Sequence, residues 1–235
     1  SVFFALFLGL GFNAAAQAPE FAPVGAKWWY PYYANIEDVN RKCDVEYYYV
    51  ECLKDTIWQN KLGKVLTSAK YDCFGFKKVI DSVLIIYQED EKVFYVKNEH
   101  PYLIYDWGAQ VNDTIWMVKP GVDSSLFGSF EKGLYHIVME TFQKTINDSV
   151  FVMQKIKTVT NIDESLYIER TSYTIKGIGG EYDWWTNLYA CNGCVTTERN
   201  PWWGNIRCYY NGNDYLIKNN SFSCDYTQSK LTNQD

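Results

Sequence analysis

Four tryptophans in two adjacent pairs, Trp184, Trp185, Trp202 and Trp203, stand among Glu181, Tyr182, Asp183 and Arg199 in the C-terminal part of the chain. An indole offers a flat apolar face, and a carboxylate accepts hydrogen bonds from hydroxyl groups. Together these groups supply what is needed to hold a sugar ring, so Trp184, Trp185, Trp202, Trp203, Glu181 and Asp183 form a candidate glycan-binding surface. The same tryptophans also suit a second role, filling the core under a long loop or packing on disulfides. Glu181 and Asp183 are alternatively available as the paired carboxylates of a secreted glycoside hydrolase. Any acidic chain offers such pairs, and the expectation is a binding or structural protein rather than an enzyme.

The remaining reactive residue types give little. His100 lies in the turn-forming Glu99-His100-Pro101 and His136 lies within a strand pattern, neither beside a Ser, Cys or metal ligand in sequence. No Gly-x-Ser-x-Gly, no His-Glu-x-x-His and no phosphate-cradling glycine loop occurs. Cys191-Asn-Gly-Cys194 has zinc-like spacing, but Cys208 and Cys224 stand too far apart to supply the second close pair of a zinc ribbon, and Asn-Gly favours a tight turn. No metal or other cofactor is expected. Gly177-Ile178-Gly179-Gly180 lacks the third glycine and the following helix of a dinucleotide loop, and reads as a strand end or bulge where φ is positive or backbone approaches closely.

The chain holds seven cysteines, which in an exported protein read as disulfides with one thiol left over. If 45–58 is one extended strand, Cys43 and Cys52 lie roughly 30 Å apart at about 3.3 Å per residue, beyond disulfide reach. A reversal somewhere in 59–64 would bring 71–73 back opposite Cys52, so Cys52 is expected to pair with Cys73. Cys208 and Cys224 flank a strand, turn and strand pattern and form the second expected pair.

These side chains are positioned by strands. Runs rich in aromatic and β-branched residues cover 27–33, 45–58, 64–72, 77–88, 92–97, 114–118, 133–145, 149–160, 167–178, 205–210 and 215–218, and many alternate in polarity. Segments 101–110 and 123–130 read as loops. The phrase Asp-Ser/Thr followed by an apolar pair recurs at Asp55, Asp81, Asp113 and Asp148, each expected to open a strand from a turn. The expected fold is all-β, an antiparallel meander forming a β-sandwich or a strongly curved, partly closed barrel, with a loop-rich, disulfide-stapled C-terminal part.

The apolar run 2–12, ending in small residues at Ala14 and Ala16, fits the remnant of a signal peptide over 1–16 and is too short to span a bilayer. A single β-rich domain is then expected over 17–235, secreted to the periplasm or beyond, with no membrane span. The formal net charge is −6 and the 22 Lys and Arg are scattered, which excludes nucleic acid as an expected partner and leaves a glycan or a cell-surface protein.

Gly25-Ala-Lys-Trp28-Trp-Tyr30, Tyr102-Leu-Ile-Tyr-Asp-Trp107 followed by Asn112-Asp113-Thr114, Tyr173-Thr-Ile-Lys-Gly-Ile-Gly-Gly180 and the Cys208 to Cys224 tail occur in that order. In this the chain resembles a broad group of exported proteins of Bacteroidetes-type bacteria, whose β-rich region often precedes a C-terminal sorting domain for type IX secretion. Trp107 and Asn112 stand where similar proteins tend to have Phe and Gly, and no sorting domain is expected to follow the β region here. The resemblance implies export and brings no catalytic residues with it.

Overall fold

A computed structural model describes residues 20–33, 43–72, 74–119, 133–146, 148–161, 167–180, 206, 208–218, 223–225 and 228–229. The described residues form strands and turns with no helix, and so none that is long and apolar enough to cross a membrane. The strands are β1 (Ala26–Tyr33), β2 (Cys43–Trp58), β3 (Lys61–Tyr71), β4 (Lys77–Glu89), β5 (Lys92–Lys97), β6 (His100–Asp106) and β7 (Thr114–Val118). They continue as β8 (Leu134–Ile146), β9 (Ser149–Asn161), β10 (Tyr167–Ile175), β11 (Gly179–Gly180), β12 (Cys208–Asn211), β13 (Tyr215–Lys218) and β14 (Gln228–Ser229). Two antiparallel sheets result. The larger runs β13-β12-β1-β2-β3-β4-β5-β6, with β14 also on β2, and curls into a half-barrel; the smaller runs β11-β10-β9-β8-β7.

Tight turns set the registers. Gln59 and Asn60 both have positive φ, as do Asn98 and Glu99, so the β2–β3 and β5–β6 connections are two-residue turns with Trp58 opposite Lys61 and Lys97 opposite His100. Backbone of that hand matches the twist of the strands it joins. This register corrects the expected Cys52–Cys73 disulfide. With the chain reversing at 59–60, Cys52 faces Leu66 and β3 reaches Tyr71 opposite Tyr47, while Cys52 keeps a free, buried thiol. The Cys208–Cys224 disulfide forms as expected and packs against Trp29 and Tyr47. Cys73 itself lies outside the described residues, as do Cys191 and Cys194.

The segment expected to loop at 101–110 instead contributes β6 over His100–Asp106. Pro101 is tolerated because β6 is the edge of its sheet, where a missing N–H breaks no ladder. Of the four Asp phrases, Asp113 and Asp148 stand directly before β7 and β9, whereas Asp55 and Asp81 fall inside β2 and β4 near register shifts. There the extra twist of a bulge, and not a chain reversal, accommodates them.

The inner face of the larger sheet carries Trp28, Val50, Cys52, Leu66, Leu84, Ile86, Val93, Tyr95 and Ile104 into one core that also takes Leu134, Met153 and Ile175 from the smaller sheet. The turn after β10 fastens the two sheets. Trp28 Nε1 donates to the Ile178 carbonyl at 2.9 Å, and the Gly180 N–H donates to the Tyr105 hydroxyl at 2.7 Å. Gly177 and Gly179 there have positive φ, and a Cβ on Gly179 would lie 3.1 Å from the Tyr105 hydroxyl, the close approach read from the glycine run.

On the outer face, Tyr87 stands directly across from Gly63 and is stacked between Trp58 and Phe94 at 5.2 and 4.9 Å. A Cβ on Gly63 would meet the Ile86 carbonyl at 2.9 Å, a backbone atom held by the ladder. Gly63→Ala is therefore expected to destabilise the fold by about 1–3 kcal/mol, in the range of an overpacked site. Urea unfolding monitored by tryptophan fluorescence measures it, and an unchanged midpoint would refute the steric account.

Candidate functional site

Trp184, Trp185, Trp202, Trp203, Glu181 and Asp183 all lie outside the described residues. The described residues instead bring together a polar mouth at one end of the half-barrel. Toward the middle of the larger sheet its inward positions are Cys52, Leu66 and Leu84; nearer the turns at 59–60 and 90–91 come Asp55, Lys64 and Gln88, with the exposed Ile57 and Leu62 beyond them at the rim. A groove of about 800 Å³ lies there. Its walls include Glu20, Phe21, Lys64, Ile86, Gln88 and Glu91.

Each wall has a local cause. Lys64 on β3 stands opposite Asp55 on β2, and its ammonium bonds the carboxylates of Asp55 and Glu20. Burial alone would lower the lysine's pKa, but those two hydrogen bonds outweigh it and hold the value above that of an ordinary lysine. Glu20 and Phe21 are brought over the sheet by two backbone bonds: Phe21 N–H to Gln88 Oε1 at 2.8 Å, and Gly25 N–H to the Cys52 carbonyl at the β2 bulge, 2.9 Å. Glu91, in the β4–β5 turn, accepts from Lys176 Nζ at 2.7 Å through Oε1, which ties the mouth to the smaller sheet. Its Oε2 is shielded from solvent and takes no hydrogen bond.

Two reactive groups, one beside the mouth and one in the smaller sheet, are held in inert forms. Burial pushes the Cys52 thiol up to about 11, with Lys64 pulling weakly the other way, so at neutral pH it is a protonated thiol and a poor nucleophile. His136 is buried in the smaller sheet, where its Nδ1 lies 2.9 Å from the Thr158 hydroxyl, and burial lowers its pKa to about 4.

A second groove, of about 550 Å³, runs between β6 and β7 past Phe94, Leu103 and Trp116. Its aspartates are occupied by loop structure. Asp106 Oδ1 accepts from the Gly108 N–H at 3.1 Å, and Asp113 Oδ2 accepts from the Gln110 N–H at 2.8 Å. The mouth at Lys64 is the better candidate because its charged groups converge from β2, β3, the segment before β1 and the β4–β5 turn. No sequence signal marks it: Glu20, Asp55, Lys64, Gln88, Glu91 and Lys176 have no common spacing, and only the strand order assembles them.

No protein-family model matches the chain, and no curated protein matches it in sequence. Among solved structures, the chain is similar to a Bacteroides fragilis protein described as exported, with a YmcC-like fold. The two share 11% identity at a TM-score of 0.40, over 70% of this chain and 89% of that one. The fold assignment rests on the strand registers and not on this likeness.

Proposed function

We propose that this chain is an exported binding protein that holds a glycan in the mouth of its half-barrel. Export is supported by the apolar leader pattern and by a disulfide between Cys208 and Cys224, a bond that persists in oxidising compartments. The observation that carries the binding reading is the cluster of Glu20, Asp55 and Lys64 on the groove near the open end of the sheet. The mouths of β-barrels are common ligand sites. Here an ammonium donor and carboxylate acceptors lie beside the exposed apolar side chain of Leu62, which suits a neutral ligand whose hydroxyl groups both donate and accept. The protonated thiol of Cys52 and the ion-paired Lys64 support binding over catalysis.

A polysaccharide-array screen of the folded chain tests this, followed by titration of the strongest ligand against variants. Glu20 is 57% exposed, so Glu20→Gln leaves the core untouched while weakening an acceptor. It is expected to reduce affinity about tenfold or more, the effect of losing a charged hydrogen bond. Trp185→Ala and Trp203→Ala report separately on the tryptophan-rich segment. Binding that survives Glu20→Gln unchanged but is lost in those variants moves the site to that segment, and an array without signal ends the glycan reading.

A further inference from the structure

The turn between β3 and β4 is built to display two phenylalanines. Asp72 Oδ1 accepts from the backbone N–H of both Phe74 and Phe76 at 2.9 Å, the Gly75 N–H bonds the Asp72 carbonyl at 3.0 Å, and the Asp72 N–H bonds the Phe76 carbonyl at 3.2 Å. The tip is therefore fixed rather than collapsed onto the sheet. Phe76 is 71% exposed and Phe74 49%, with Val79 beside them at 52%. At Gly75, between the two phenylalanines in sequence, a Cβ would meet nothing within 4 Å, so the tip is open there.

Basic residues surround it. Lys77 stands opposite Tyr71, and Lys78 directly opposite Lys70, a like-charge cross-strand pair that destabilises a sheet in water. Lys77 and Lys78 follow the tip directly on β4 and place two exposed ammonium groups beside it, on a chain whose formal net charge is −6.

We infer that this tip docks on an anionic lipid bilayer, with Phe74 and Phe76 entering the interface and Lys77 and Lys78 facing the phosphates of the headgroups. A turn this short offers little area to a protein partner, whereas two aromatic rings can sink into the boundary between headgroups and acyl chains. Lysines placed just behind them meet the negative surface potential. The inference is independent of the groove and of its ligand.

Co-sedimentation of the full chain with vesicles tests it, comparing phosphatidylcholine alone with an equal mixture of phosphatidylcholine and phosphatidylglycerol. Binding is expected to the mixed vesicles only, weakening as salt is raised. Phe74→Ser with Phe76→Ser is expected to lower partitioning about tenfold or more, because the buried apolar area is lost. Lys77→Glu with Lys78→Glu is expected to remove the preference for anionic vesicles. All four side chains are exposed, so the urea midpoint verifies folding without altering the reading. Equal partitioning of parent and either double variant overturns the proposal. So does a parent chain that ignores anionic vesicles, or one that self-associates through the tip in light scattering and loses this in the Phe variant.

Discussion

Trp28→Ala is expected to remove about 3–5 kcal/mol of stability, a large share of the roughly 5–15 kcal/mol typical of a domain. The side chain is 3% exposed on the inner face of β1, with its ring centroid 6.0 Å from Phe21 and 5.2 Å from Tyr209. Truncation leaves a cavity where three aromatic rings meet, and surrounding strands held by ladders on both sides of β1 can collapse into it only partly. A second loss is superimposed. The Nε1–H bond to the Ile178 carbonyl joins residues 150 apart in sequence and ties the larger sheet to the turn after β10. Trp28→Phe separates the two terms: it retains most of the apolar contact but orphans that carbonyl, with an expected cost of about 1–3 kcal/mol. Urea unfolding of the two variants against the parent measures both. An alanine variant within about 1 kcal/mol of the parent would mean that the core does not depend on this junction.

The strands themselves were largely legible because aromatic and β-branched runs between turn residues are a local signal. β4, β5, β7, β9 and β13 lie within a residue or two of the runs that announce them. β6 was hidden by Pro101, whose meaning depends on whether a strand is central or at an edge, and that is a property of the assembled sheet. The Cys52 pairing failed for a related reason. Placing the reversal anywhere in 59–64 leaves the register free, and only the left-handed backbone at Gln59 and Asn60 pins it. Long-range order was not legible: β12 pairs with β1 across most of the chain, and the mouth gathers Glu20, Lys64, Glu91 and Lys176 by that order alone. Gly63 and Gly179 carried a partial signal, since a glycine inside a strand pattern marks close approach, but not what approaches.

Acid is expected to weaken the fold through His136. The ring is 9% exposed, stands in register with Ile115 on β7 and Thr158 on β9, and burial lowers its pKa to about 4. In the unfolded chain the same group titrates near 6.5. Between those values the unfolded state binds a proton that the folded state refuses, so unfolding free energy rises with pH across the window. The contribution is complete above about pH 6.5, falls as pH drops toward 4, and levels off below it, a total of roughly 3–4 kcal/mol at about 1.36 kcal/mol per unit. The Thr158 hydroxyl at 2.9 Å can donate to the neutral ring's unprotonated Nδ1, which agrees with the same direction. Other groups of the chain contribute to the pH dependence of any fold, so the parent's slope alone is not diagnostic. His136→Leu with Thr158→Val removes the titrating ring and its polar partner together, avoiding an orphaned hydroxyl. Urea midpoints at pH 7 and pH 4.5 should then differ much less in the double variant than in the parent. Equal pH slopes in the two proteins would show that His136 is protonated without penalty in the folded state, and would remove burial as the cause of its low pKa.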